Sequence, residues 1–302
     1  MTEVNGLPGD LDRTLGFTLP GNHARGRVVR IGPVLEAILA NHGYPPIIEK
    51  LLGEALVLTT LLGALLKGDG GQLTMQAQTE AGAIGLLVCD YKDGAVRGYV
   101  QFDADKLAMV PTLPTLFGLF GKGYLAITFD QATSGERYQG IVPLEGESLA
   151  DAVQNYFVQS EQIPSLVAIA IDKERRAAGG LLLQHLPEGE QGRDRLHTRL
   201  DHPEWDHIRA LAETVAASEL LDQDLPLESL VWRLFHAEPE VRVLGGAALT
   251  KGCRCDLVHI RDVIGRFPAE ERREMADNKG DIVVDCAFCA RKFPIPLVDF
   301  GN

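Results

Sequence analysis

Apolar and polar residues follow several different rhythms along this chain. Ile31 to Ala40 carries a short apolar pattern, and the turn His42-Gly-Tyr-Pro-Pro46 leads into IIEKLLGEALVLTTLLGALLKGDGG. Proline suits a first helical turn, where its missing N–H is not needed, and Gly68 to Gly71 supplies a stop. Apolar residues occupy most of this helix's circumference, so it is expected to be buried on several sides. The period then changes to two. LTMQAQ alternates, AIGLLVCDY is a fuller run, and AVRGYVQFD follows the Asp93-Gly94 turn. YLAITFD and ERYQGIVPL add strands, Ser148 caps a helix in SLADAVQNYFVQSEQ, and SLVAIAID and AAGGLLLQHL read as two further strands. The expectation for residues 1–178 is a mixed α/β domain with a mostly antiparallel sheet.

Past Leu186 the pattern changes again. PEGEQGRDRLHTRLD is polar and glycine-interrupted, which marks a linker. Two amphipathic helical patterns follow, HPEWDHIRALAETVAASELL and LESLVWRLFHAEPEV. Their apolar stripes, Ile208, Leu211 and Val215 and then Leu230, Leu234 and Phe235, need a partner. Residues 179–245 are predicted to be a helical linker and 246–302 a small C-terminal domain, making the whole an α+β protein.

Composition narrows the function. Of 302 residues, 45 % are hydrophobic and 24 % charged, ordinary for a chain that buries a core. Net charge is −13, which opposes binding to phosphate backbones. Asp172 to Glu240 holds 15 acidic against 8 basic residues, an excess of like charge that favours a metastable linker. The start, MTEVNGLPGDLDRTLGF, lacks the basic-then-apolar order of a signal peptide. The longest apolar run, Ala55 to Leu66, falls short of the ~20 residues that span a bilayer. The expectation is a cytoplasmic protein with no membrane and no nucleic-acid partner, in a compartment where paired cysteines bind metal or do redox chemistry.

Four of the five cysteines form two close pairs, Cys253-Arg-Cys255 and Cys286-Ala-Phe-Cys289. In extended chain, residues two apart point the same way, so Cys253 and Cys255 can aim at one point. Cys-x-x-Cys folds a tight knuckle, with IVVD and RKFPI as its hairpin arms. Between the pairs, Leu257, Ile260, Val263, Ile264 and Phe267 recur at helical spacing, and Pro268 opens a second helix, AEERREMADN. A helical excursion with free ends lets the pairs converge on one tetrahedral Zn2+ with Zn–S near ~2.3 Å. Four thiolates on zinc carry a formal charge of −2, which Arg254, Arg261, Arg291 and Lys292 could offset. From Cys253 to Asn302, 8 basic residues face 9 acidic ones, so no phosphate-binding field exists. Each pair is close enough to become a local disulfide, although Cys-x-Cys must bend its backbone to do so. Oxidation would expel the metal, because binding requires thiolates.

These residues resemble the redox-regulated chaperones of the heat-shock protein 33 family. The pattern GCRC followed by CAFC is that family's motif, and HGYPPIIEKLLGEALVLTTLLGALLK, GKGYLAITFDQ, ERYQGIVPLEGESLADAVQNYF, QSEQIPS and AGGLLLQHLPE look like family segments in family order. The likeness runs from RGRVVR at Arg25 to the C-terminus. It implies an ATP-independent holdase, not an enzyme, that is inactive when reduced with one Zn2+ per chain. Oxidation with unfolding conditions would release zinc, loosen the linker, favour a homodimer and expose surface for unfolding client proteins. Carried over, Cys253, Cys255, Cys286 and Cys289 are both metal ligands and redox-active thiols, with disulfides Cys253–Cys255 and Cys286–Cys289.

Other signals are weaker. Cys89, in LLVCD, reads as a small buried apolar residue. His197, His202 and His207 share no helical face, and His42 reads as a turn or packing residue. GLFGKGY lacks the GxxxxGK[ST] phosphate loop, and no nucleophile arrangement appears. A thiol–disulfide oxidoreductase using Cys286 and Cys289 would want a thioredoxin-like βαβ setting that is absent here. A nucleic-acid-binding zinc ribbon would want the missing positive field.

Overall fold

The structure, a computed structural model, describes residues 10–66, 68–79, 81–111, 114–186 and 203–301. Two strands come first, β1 (Arg13–Leu19) and β2 (Ala24–Ile31), then α1 (Pro33–Leu39) and the long α2 (Pro46–Gly63). The meander β3 (Gln72–Thr79), β4 (Ile84–Lys92) and β5 (Ala95–Phe102) follows, with short helices α3 (Ala104–Ala108) and α4 (Leu116–Phe120). The hairpin β6 (Gly123–Asp130) and β7 (Arg137–Pro143), helix α5 (Leu149–Tyr156) and the hairpin β8 (Ser165–Asp172) and β9 (Ala177–His185) complete this part. Then come α6 (Pro203–Ala212), α7 (Ala217–Leu221), α8 (Leu227–Phe235), β10 (Arg242–Leu244) and β11 (Thr250–Lys251). The C-terminal part holds α9 (Leu257–Gly265), α10 (Ala269–Met275) and the hairpin β12 (Asp281–Asp285) and β13 (Lys292–Pro296).

The strands form three sheets, ordered β10-β1-β2-β9-β8, β11-β5-β4-β3-β6-β7 and β12-β13. Every named pairing is antiparallel except β11 with β5. The expected mixed α+β fold with antiparallel sheets is the fold observed. Helix α2 lies between the two large sheets, packing Leu52 and Leu56 toward β5 and Val57 and Leu61 toward β9. Covered on both sides, it buries residues around its whole circumference, as its apolar composition predicts. Cys89 sits in this core, fully buried beside Gly98, where burial drives its thiol pKa well above the ordinary range.

The sequence pattern leaves β1 (RTLGFTL) and β2 unmarked, and for β2 the reason is Arg25, Arg27 and Arg30 in ARGRVVRI. Charged residues at that frequency argue against a strand buried on both faces. Arg30 is nevertheless completely buried, its guanidinium donating to the carbonyls of Leu220, Leu225 and Glu219 at 2.9, 2.9 and 3.0 Å. Those acceptors belong to α7 and the loop after it. The predicted 20-residue helix over HPEWDHIRALAETVAASELL is broken in two, because Glu219 turns back to accept from the Ala216 N–H and restarts the chain as α7.

The apolar stripes find their partner in the first sheet. Ile208, Leu230, Leu234 and Phe235 pack on the face of Leu15, Phe17, Leu19, Val28, Leu181 and Leu183, with Leu211 and Val215 at the margin. Phe235 meets Phe17 at a ring distance of 5.4 Å. Among the described residues these stripes are thus covered by a sheet face. Strand β9 is buried along its whole length because α2 covers one face and α6–α8 the other. Two glycines make this possible: a β-carbon at Gly179 would strike the Leu220 carbonyl, and one at Gly180 would strike Val57. His207 bonds Glu238 at 2.8 Å, while His197, His202 and PEGEQGRDRLHTRLD lie outside the described residues.

The chain leaves α8 by a segment bonded to both sheets. β10 pairs with β1, Thr14 N–H donates to the Ala247 carbonyl at 2.9 Å, and Thr250 and Gly252 donate to Gly94 and Val96 of the second sheet at 3.0 and 2.7 Å. A β-carbon at Gly246 would collide with the Thr14 carbonyl. Gly246→Ala is therefore expected to lift this crossing segment off β1 at a cost of ~1–3 kcal/mol, read as faster amide exchange at Ala247 and Leu249. Unchanged exchange there would contradict the expectation.

Candidate metal centre

The crossing segment delivers the first cysteine pair. Immediately after β11, Cys253 and Cys255 lie on non-helical chain, and Asp256 then caps α9 by accepting from the Val258 N–H at 2.9 Å. The second pair sits in the turn between β12 and β13, whose register from Asp281↔Pro296 to Asp285↔Lys292 brings the two arms to one point. Within that turn Cys286 N–H donates to Arg291 O at 3.0 Å and Ala290 N–H to Cys286 O at 2.8 Å. Ala290 takes a left-handed conformation, φ 53°, which closes the knuckle.

The four sulfurs converge, all within 4.8 Å of one another. Cys253 Sγ lies 2.9 Å from Cys255 Sγ and 3.7 Å from Cys286 Sγ, and Cys255 Sγ lies 3.6 Å from Cys289 Sγ. A tetrahedral site with bonds of ~2.3 Å has sulfur–sulfur edges of ~3.8 Å, so the two contacts between pairs already match it. Among the described residues the donor set is four soft sulfurs, which fits a divalent metal of the zinc class.

The electrostatics differ from expectation. Arg254 donates to Gln72 at 2.6 Å, Arg261 pairs with Asp299 at 2.6 Å, and Arg291 lies over Phe293. These arginines are engaged elsewhere, and the knuckle's own amides face the sulfurs. Burial pushes the Cys286 thiol up, but hydrogen bonds from Cys255 and from the backbone N–H groups of Cys289 and Phe288 outweigh it and bring the pKa down to about 7. Cys289 is raised by burial, against an opposing bond from the Arg291 amide. Cys255 is raised by burial and by sharing its proton site with three other sulfurs.

The knuckle also touches the first part of the chain. Asn41 Nδ2 donates to Cys289 O at 3.3 Å, and His42 Nε2 lies 3.3 Å from Phe288 O. The Phe288 ring stands edge-on to Tyr99 at 4.8 Å and 82°, with the Arg97 guanidinium 3.9 Å from its centroid. Arg97 is fixed in turn by Asp90 at 2.6 Å, and Lys251 Nζ donates to Ala37 O at 2.6 Å. The sequence reading assigned Asn41, Tyr99, Arg97 and Phe288 no role. His42 reads from the sequence as a turn or packing residue, with no partner indicated.

A family model described as Hsp33 protein matches residues 12–296. The chain belongs to the Hsp33 family. Among curated relatives, the 33 kDa chaperonin of Caulobacter vibrioides is 37 % identical over 306 residues, covering 98 % of each chain. The 33 kDa chaperonin of Yersinia pestis is 37 % identical over 285 residues, covering 93 % of this chain and 91 % of its own. The crystal structure of the Hsp33 homologue from Thermotoga maritima superposes with a TM-score of 0.76 over 96 % of both chains at 21 % identity, which shows the shared fold. Hsp33 members are named as chaperonins rather than enzymes, and membership supports a chaperone function here. No helix among the described residues is long and apolar enough to cross a membrane.

Proposed function

We propose that this Hsp33 chain is a redox-switched, ATP-independent holdase whose switch is the four-cysteine cluster. The observation that carries the reading is the convergence of two distant cysteine pairs on one point, at sulfur separations suited to a tetrahedral metal. In the resting state Cys253, Cys255, Cys286 and Cys289 would hold one Zn2+ as thiolates. The metal, when bound, keeps all four sulfurs deprotonated and the module compact.

Activation consumes an oxidant. In each pair two thiolates and one hydrogen peroxide, with two protons, give one disulfide and two waters. Two pairs therefore consume two peroxides and leave Cys253–Cys255 and Cys286–Cys289 bonded, with no thiolate left to hold metal. The expected boundary at 178 falls inside β9 (Ala177–His185), so the working division is a core that runs through β9, a linker from there to 245 and a switch at 246–302. The released part of the linker is α6–α8, since β9 is held between β2 and β8. Lifting α6–α8 would uncover Leu15, Phe17, Leu181 and Leu183 together with the stripes that cover them. Contiguous apolar surface of this kind binds unfolding polypeptides and a second copy of the chain. A cytoplasmic setting, where thiols rest reduced, suits such a switch.

The test compares two states of the purified chain, reduced with zinc and peroxide-treated without it, added to a heat-aggregating client without nucleotide. Suppression of light scattering by the oxidised form alone is expected. Equal suppression by both forms removes the switch, and suppression by neither removes the holdase.

A further inference from the structure

We propose that the Cys286–Cys289 knuckle is itself the docking element of the switch, its peptide planes presenting Phe288 and Cys289 to Asn41, His42, Tyr99 and Arg97 only while the sulfurs are gathered. This deepens, and rests on, the redox-switch reading above. The argument begins with peptide planarity. In a trans peptide the N–H of one residue and the C=O of the residue before it point in opposite directions. The Phe288 C=O points outward and meets His42 Nε2 at 3.3 Å, so the Cys289 N–H in the same plane points the other way, into the knuckle. The Ala290 N–H bonds inward to Cys286 O at 2.8 Å, so the Cys289 C=O points outward to Asn41 at 3.3 Å.

Two consecutive planes thus face the inside of the knuckle on one side and the α1–α2 turn on the other. Any change in the knuckle that rotates these two planes, as regrouping of the Cys286 and Cys289 sulfurs at its ends would, swings both carbonyls away from their readers. Between the two carbonyl-bearing planes and β5 stands the Phe288 ring, edge-on to Tyr99 and under Arg97, so the same rotation withdraws the ring. Tyr99 lies on the outer face of the second sheet, opposite Val88 of β4 in register. Undocking would leave the Thr250 and Gly252 amide bonds to Gly94 and Val96, the Lys251–Ala37 contact and the Arg254–Gln72 hydrogen bond as the nearby ties holding the module. Phe288, Asn41 and Tyr99 are positioning residues, since none of them binds metal.

The experiment measures zinc content and amide hydrogen exchange on the full-length, reduced, zinc-loaded chain. The variants are Phe288→Ala, Phe288→Tyr and the double variant Asn41→Ala/Tyr99→Ala, whose substitutions lie outside the cysteine module. Phe288→Ala and the double variant are each expected to keep one zinc while exchange at Thr250 and Gly252 rises by about tenfold or more, and Phe288→Tyr is expected to restore protection. Zinc loss on peroxide treatment should also quicken several-fold in both. Wild-type exchange in a zinc-loaded double variant overturns the proposal. If Phe288→Ala fails to hold zinc, the double variant alone decides. The exchange readout is taken without a client, so inactivity of the oxidised wild type would sink the holdase reading and leave this result standing.

Discussion

Chelating the metal from the reduced protein is expected to unfold residues 252–301 while both large sheets stay protected. The reason is how little this segment buries. Neither α9 nor α10 contains a buried residue, and the module's buried apolar side chains are Ile282, Ile295 and Cys289. A unit of this size without a staple does not hold a fold. A structural zinc site supplies ~10–16 kcal/mol, which dwarfs anything two isoleucines contribute. Cys289→Ser should act in the same direction by removing the most buried of the four sulfurs. The measurement is residue-resolved hydrogen exchange with and without chelator. Collapse of protection within 252–301, with β2, β4 and β9 within a fewfold of their metal-loaded values, is the expected outcome. Retained protection in the chelated module would mean that its fold owes nothing to the cluster.

Replacing Arg30 by methionine is expected to release α7 and α8 without touching the cysteines. Methionine fills the same slot but leaves the carbonyls of Leu220, Leu225 and Glu219 unpaired beneath the helices. A buried charged donor of this kind is worth ~3–5 kcal/mol when removed, enough to undock short helices that already carry an excess of negative charge. Asp10 ties the same region from the other side, accepting from Leu227 N–H and pairing with Arg13, which reaches Glu228. Arg30→Lys should recover only part of the loss, because one ammonium cannot span three carbonyls. Protease cleavage within 203–241 of the reduced, zinc-loaded variant, accompanied by suppression of client aggregation without oxidant, is the predicted result. A protease-resistant and inactive Arg30→Met would show that the apolar stripes alone hold the cover in place.

Legibility in the sequence followed the reach of each signal. Strands β3 to β9 announce themselves through alternation and turns, and α2 through apolar residues all round. The cysteine module is legible because a pair spacing is a local property, and so is the knuckle hairpin. What escaped depends on contacts between distant segments. Arg30 reads as polar until its acceptors, some 190 residues away, are in view. The break between α6 and α7 rests on a carboxylate turning back onto a backbone amide. The docking of Phe288 leaves no periodic trace, since it joins a knuckle to a strand and a turn on the far side of the chain. The arginines near the cysteines misled for the same reason: proximity in sequence said nothing about Gln72 or Asp299 as partners.

In the proposed switch one strand, β9, would be the floor of a permanent interior on one side and of a removable roof on the other. Were the roof to lift, Leu181 and Leu183 would meet water while the opposite side stayed dry. The exposed wall would then be as adhesive toward its own kind as toward a damaged stranger, so captured cargo and sister molecules would compete for it. Dilution should therefore favour rescue of cargo per molecule, and crowding should favour self-pairing.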